Sequence, residues 1–175
     1  MTTGYIPLPP AAWYPTDDSA GSASAQLQKR TSSDATDPQT FWLEWLFDDT
    51  TQEHIQTSFV MPGNYASAPV LKVYYKMTSA TADEVIFGGV LAAVTDADAT
   101  DVDANEMAAE NLSAATTVPG TAGYMDVASI TLTNADSVAA GDHVIVCLYR
   151  DADNAGDDAT GDAENINAEL QYTTT

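Results

Sequence analysis

The sequence predicts an all-β protein: an antiparallel β-sandwich of jelly-roll type, with an extended N-terminal arm over residues 1–40 and a sandwich body over 41–175. Three observations carry that expectation. Apolar residues recur with period two from residue 41 onward, Gly, Asp and Asn turns separate those runs, and the one segment with helical spacing, "DANEMAAENL", is short. A period of two places successive side chains on opposite faces of a pleated strand, so each run has one dry and one wet face.

The first segment, "GYIPLPPAAWYP", is rich in proline, which fixes φ and removes a backbone donor, so an extended chain is expected and a helix is not. Its Tyr5, Ile6, Leu8, Trp13 and Tyr14 are costly to leave in water. An arm of this kind docks, on its own body or on a neighbouring subunit, and these five residues are the predicted inter-subunit contacts. The stretch that follows, up to Gln39, is small, polar and aperiodic.

In the body, "FWLEWLFDD" puts Phe41, Leu43, Trp45 and Phe47 on one face, with Glu44 and Asp48 on the other. "HIQTSFVM" groups Ile55, Thr57, Phe59 and Met61, and "PGN" turns the chain after it. "VLKVYYKM" alternates Leu71, Val73, Tyr75 and Met77 with Lys72, Tyr74 and Lys76. "EVIFGGVLAAV" is apolar on both faces, as a central strand is, and Gly88 and Gly89 mark a bulge or a close backbone contact. "YMDVASITLT", "HVIVCLYR" and "INAELQYT" complete seven strands, the last with Ile166, Ala168, Leu170 and Tyr172 facing one way; "LSAATTV" is a candidate eighth. Asp103 and Glu106 have capping-box spacing, which predicts one or two helical turns.

The chain has 26 acidic residues against five basic ones, a net charge of -21. Such a surface repels phosphate backbones and anionic lipid, so nucleic acid and membranes are not expected partners. No apolar run reaches the ~20 residues of a membrane span, and no basic-then-apolar export signal opens the chain. Cys147, alone and inside an apolar run, reads as a small buried hydrophobe.

Two stretches, Asp96 to Glu110 and Asp151 to Glu164, hold six acids each. Counted from Asp151 as an EF-hand loop, Asp153, Gly156 and Asp162 fall on positions 3, 6 and 12, but Ala155 occupies position 5 and the flanks are strands, so the match fails. A solvated hairpin loop without a metal site is expected, with Val146, Leu148, Ile166 and Leu170 buried beside it. His54 and His143 stand at strand starts without metal or catalytic spacing, and no G-x-S-x-G or comparable motif surrounds a serine. Neither a catalytic residue nor a cofactor is predicted. Among the tryptophans, Trp45 shares the apolar face of its strand while Trp42 points the other way, so Trp42 is the aromatic placed to meet a sugar, another sheet or another subunit.

Both ends of the chain and its last third resemble virion structural proteins of tailed bacteriophages, particularly marine ones. The resemblance rests on "YIPLPPAAWY", on the "AAGD" turn of "SVAAGDHVIVCLYRDADN", and on "GDAENINAELQYT". It implies a capsid decoration, or cement, protein at the virion surface, a homotrimer whose partner is the major capsid protein, gripped through Tyr5, Ile6, Leu8, Trp13 and Tyr14. The reading from the residues alone leaves a second class open, a carbohydrate- or receptor-binding β-sandwich of a tail or head fibre.

Overall fold

A computed structural model describes residues 2–16, 23–34, 36–96 and 102–175, except for the Asp103 side chain. Its strands, in chain order, are β1 (Thr3–Leu8), β2 (Tyr14–Pro15), β3 (Ala23–Ser24), β4 (Gln26–Thr31), β5 (Phe41–Phe47), β6 (Glu53–Val60), β7 (Tyr65–Met77), β8 (Glu84–Val85), β9 (Phe87–Val94), β10 (Asn111–Leu112), β11 (Thr116–Thr117), β12 (Asp126–Thr131), β13 (His143–Arg150) and β14 (Ala163–Thr174). They form two six-stranded sheets. Sheet A runs β12-β7-β14-β5-β4, with β1 also on β14; sheet B runs β10-β9-β13-β6-β2, with β3 also on β6. Every pairing in the two sheets is antiparallel apart from β3 with β6, and β8 and β11 make a small ribbon. This is the antiparallel β-sandwich of jelly-roll type that the alternation predicts.

The core lies between the inner faces. Leu71, Val73, Tyr75 and Met77 of β7 and Ala168 and Leu170 of β14 meet Val144, Val146 and Leu148 of β13, Leu91 of β9 and Ile55 of β6. Phe87 joins the layers through edge contacts, with its ring centroid 5.1 Å from Tyr75 and 6.3 Å from Phe47. Two glycines are fixed by tyrosines that lie over them across the ladder. A Cβ at Gly4 would fall 2.3 Å from the Tyr172 ring, and one at Gly88 would fall 2.1 Å from the Tyr149 ring. The register pairs Gly4 with Tyr172 and Gly88 with Tyr149, so each ring covers the backbone its partner leaves bare.

Several expectations need correction. The N-terminal segment is extended, but it is not an arm standing off a body that starts at residue 41: β1 pairs with β14, and β4 pairs with β5 along its whole length. Pro7 does not prevent this, because β1 is an edge strand, where a missing donor is tolerated. The predicted helix is absent from the described residues; Val102–Ala104 form a single 3-10 turn, and Ala108 donates to the Leu91 carbonyl alongside β9. The candidate eighth strand shrinks to the two residues of β11.

The acidic stretch after β13 is a crossover rather than a hairpin, since β13 belongs to sheet B and β14 to sheet A. It wraps around Arg150. That side chain is fully buried, with its guanidinium on both oxygens of Asp157 and on the carbonyls of Ala159 and Gly161. Asp157 Oδ2 also accepts the Ile86 N–H, and Asp158 accepts that of Glu84 (2.9 Å each), so the loop is stitched along β8. Val146, Leu148 and Leu170 are buried as expected, whereas Ile166 is not. A register shift between Asn165 and Asn167 opposite β7 reverses the parity of β14. Ile166 therefore shares the outer face with Glu164 instead of the inner face with Leu170.

Candidate functional site

The outer face of sheet A is built by the residues that alternate with the core. On β7 these are Lys72, Tyr74 and Lys76; on β5, Trp42 and Glu44; on β14, Glu164 and Ile166; on β4, Gln28 and Arg30, opposite Glu44 and Trp42. A cleft of about 490 Å³ crosses this face, lined by Trp42, Tyr74, Lys76, Gly123, Met125, Ile166 and Asn167. It runs from β5 across β14 and β7 to the segment that leads into β12. Three strand spacings at ~4.8 Å give it a length of roughly 14 Å.

Beneath the cleft lies an ionic network that alternation alone would have put in water. Glu44 is 0% exposed. Its carboxylate accepts from Arg30 Nε and from the Trp42 indole N–H (2.8 Å), and stands 3.1 Å from Lys76 Nζ. Glu164, also buried, accepts from Arg30 and from Lys76. Burial acts to raise the Glu44 pKa, but hydrogen bonds from Arg30, Trp42 and Lys76 outweigh it and hold the carboxyl below its ordinary value. Hydrogen bonds to Glu44 and then Glu164 raise Arg30 in turn. The network pairs two basic side chains, Arg30 and Lys76, with two acidic ones, Glu44 and Glu164.

This arrangement positions Trp42. Its indole is tied to Glu44, and Lys76 Nζ sits 6.0 Å from its ring centroid. On the far side, the Tyr74 hydroxyl donates to Glu169 (3.0 Å), a hydrogen bond that raises its pKa and keeps it a neutral phenol. Gln171 donates to the same Glu169 oxygen (2.6 Å), and Met125, which lines the cleft, is exposed. Two carboxylates under a cleft invite comparison with a glycosidase pair, whose general acid needs a raised pKa and access to the substrate. Glu44 has the opposite: a lowered pKa, cation partners and no exposure.

The five residues predicted to make inter-subunit contacts divide. Leu8 (3% exposed) and Trp13 (5%) belong to this chain's own core, with Ile6 partly buried against it; Tyr5 (58%) and Tyr14 (45%) face outward. The Trp13 indole donates to the Leu8 carbonyl and that of Trp45 to the Pro10 carbonyl, so two of the three tryptophans anchor the N-terminal segment. Only Trp42 reaches the cleft.

His54 is half-buried at the start of β6, its ring 4.8 Å from that of Tyr149, and burial lowers its pKa; His143 is exposed. Cys147 is buried and its thiol is pushed up to about 12 by that burial. One grouping with metal-ligand spacing occurs among the described residues: Asp48, Asp49 and Asp162, whose carboxylate oxygens lie within 4.8 Å of one another. Burial, then the charges of Asp48 and Asp49, raise the Asp162 pKa. More than a hundred residues separate Asp162 from Asp48 and Asp49, so sequence spacing gives no sign of the group.

No protein-family profile matches the chain, and no curated protein sequence does. Solved structures share its fold. Over 94% of its length it aligns, with a TM-score of 0.51 and 10% identity, to 27% of a Clostridium thermocellum chain, the CBM22-1 and GH10 modules of endo-1,4-beta-D-xylanase 10B complexed with xylohexaose. The chain thus spans about a quarter of that one. A family 11 carbohydrate-binding module from Clostridium thermocellum, in complex with a beta-1,3-1,4-mixed-linked tetrasaccharide, aligns at 13% identity and TM-score 0.41, covering 97% of this chain and 96% of its own. The enzymatically active domain of bacteriophage CBA120 tailspike protein 4 aligns at 9% identity and TM-score 0.38, over 95% of this chain and 19% of its own. At that identity, what the xylanase modules share with the present chain is the fold.

Proposed function

We propose that this protein is a non-catalytic saccharide-binding β-sandwich that takes an extended oligosaccharide across the outer face of sheet A. The observation that carries the reading is Trp42, an aromatic on the wet face of a strand, held by a buried carboxylate at one end of a cleft. Sugar rings present apolar C–H faces with hydroxyls around their edges. They suit a surface that offers an oriented ring and apolar side chains (Trp42, Ile166, Met125) beside polar groups (Tyr74, Asn167, Lys76). A length of ~14 Å accommodates a short run of sugar units. This is the second class that the residues leave open, a carbohydrate-binding β-sandwich whose setting would be a tail or head fibre.

The structure lends less to capsid decoration by a homotrimer gripping the major capsid protein. That role called on apolar side chains free to meet a neighbour, and Leu8 and Trp13 are occupied within their own chain. A glycan array followed by titration calorimetry tests the proposal. Binding of an oligosaccharide by the wild type, lost in Trp42→Ala, is the expected result; an array without hits, or binding indifferent to Trp42→Ala, would overturn it.

A further inference from the structure

Resting on that reading, we infer that the cleft selects electrically neutral saccharides and rejects those bearing uronic acid or sulfate groups. Of the five cations in the chain, Arg150 is buried against Asp157 and does not line the cleft. Lys29 rests on the Phe41 ring, 4.6 Å from its centroid, and Lys72 donates to Ser129 at 2.7 Å; neither lines the cleft. That leaves Lys76, which does line it, and Arg30 beneath. Both are held by Glu44 and Glu164, so the network presents no net charge to a ligand.

An incoming carboxylate or sulfate would have to draw Lys76 away from two buried carboxylates, leaving them with Arg30 alone in a poorly hydrated site. It would also approach Glu169, which holds the hydroxyl of the cleft-lining Tyr74. Beyond the cleft it meets the field of a chain carrying -21. Hydroxyls carry none of these penalties. They can donate to Glu169 or accept from Asn167 while every ion pair below stays intact.

The experiment compares neutral gluco- and xylo-hexasaccharides with hexagalacturonate by calorimetry, at low salt and in 0.5 M sodium chloride. Wild type should bind at least one neutral hexasaccharide about tenfold or more tighter than the uronate, with an affinity that barely changes with salt, as expected of contacts without net charge. Ile166→Lys, which adds a cation lacking a carboxylate partner to the lining, should gain uronate binding that salt then weakens. Glu44→Gln, which frees part of Lys76 and Arg30, should shift selectivity in the same direction.

Uronate binding equal to or tighter than neutral binding, and abolished by Trp42→Ala, would overturn the selectivity while leaving the saccharide-binding reading in place. So would an Ile166→Lys protein, folded by circular dichroism, that gains nothing for the uronate. A wild type that binds none of these sugars and gives an empty array would sink both.

Discussion

Arg30 and Arg150 both hold carboxylates, yet they sit in opposite settings. Arg150 is sealed, and all its partners come from the eleven residues that follow it. It fixes one loop in one conformation as the chain crosses between sheets. Arg30, whose side chain is 39% exposed, reaches Glu44 and Glu164, 14 and 134 residues away. It joins β4, β5 and β14 under a surface that a ligand can touch. The local cluster is saturated and closed; the distributed one is neutral as a whole and open on one side, so changes at its members should be read out in binding as well as stability.

The largest effect should come from Arg150→Met. Removing one partner of a buried pair leaves the other charge uncompensated, at a cost of about 3–5 kcal/mol. Urea unfolding should show this, with no change in selectivity among the sugars if enough folded protein remains. A cost below ~1 kcal/mol would mean that water reaches the loop interior.

Glu44→Gln should be milder, about 1–3 kcal/mol, because Glu164 still serves both cations. It should also change the response to acid. The Glu44 carboxyl is held below its unfolded value of 4.5, so its stabilisation is complete above that pH and is lost as pH falls through the folded value. The acid limb of the wild-type stability curve should therefore flatten in the variant. Trp42→Ala, by contrast, should change stability by roughly 1 kcal/mol or less, while weakening oligosaccharide binding by about tenfold or more in calorimetry.

The two arginines also differ in what the sequence reveals of them. The seven long strands are legible because alternation and turn residues are local signals, and Trp42 is flagged by its parity. Glu44 has the same parity, and reading it as solvent-facing was natural. Its burial depends on Arg30 and Lys76 arriving from other strands, which only the register of sheet A establishes. Ile166 was misplaced by a bulge that leaves no mark in an otherwise clean alternation. In the N-terminal segment, proline hides β1, a strand that is stable only at an edge, and β4 is too polar to show an apolar alternation. Arg150 ends an apolar run, where its charge suggests an exit to solvent rather than the centre of a loop.

Salt gives a subtler contrast. The wild type should melt higher as sodium chloride screens the self-repulsion of a -21 chain over a Debye length of roughly 8 Å near physiological ionic strength. The cost of Arg30→Ala should shrink over the same series, while that of Arg150→Met stays constant, as burial dictates. Smallest of all should be Asp162→Asn. Its carboxyl is raised above 3.8 by burial and by Asp48 and Asp49, so its ionisation opposes folding above the folded pKa, and that opposition disappears below 3.8. The variant should melt slightly higher than wild type at pH 7 and no higher at pH 3; a lower melting temperature at pH 7 would show that the Asp162 charge is compensated.

The placement of β14 affects how the protein is made. It follows every other described strand in sequence, yet it lies inside sheet A, with β7 on one side and both β5 and β1 on the other. While a ribosome still holds residues 163–174, β1 has no ladder to join, and β7 lacks the partner that separates it from β5. The long strands of sheet B, β6, β9 and β13, are all complete by Arg150 and can pair earlier. The face that carries the cleft is thus assembled only once residues 163–174 have emerged and slot between strands already waiting, and a nascent chain stalled short of residue 163 would display sheet B without the partner sheet that carries the cleft.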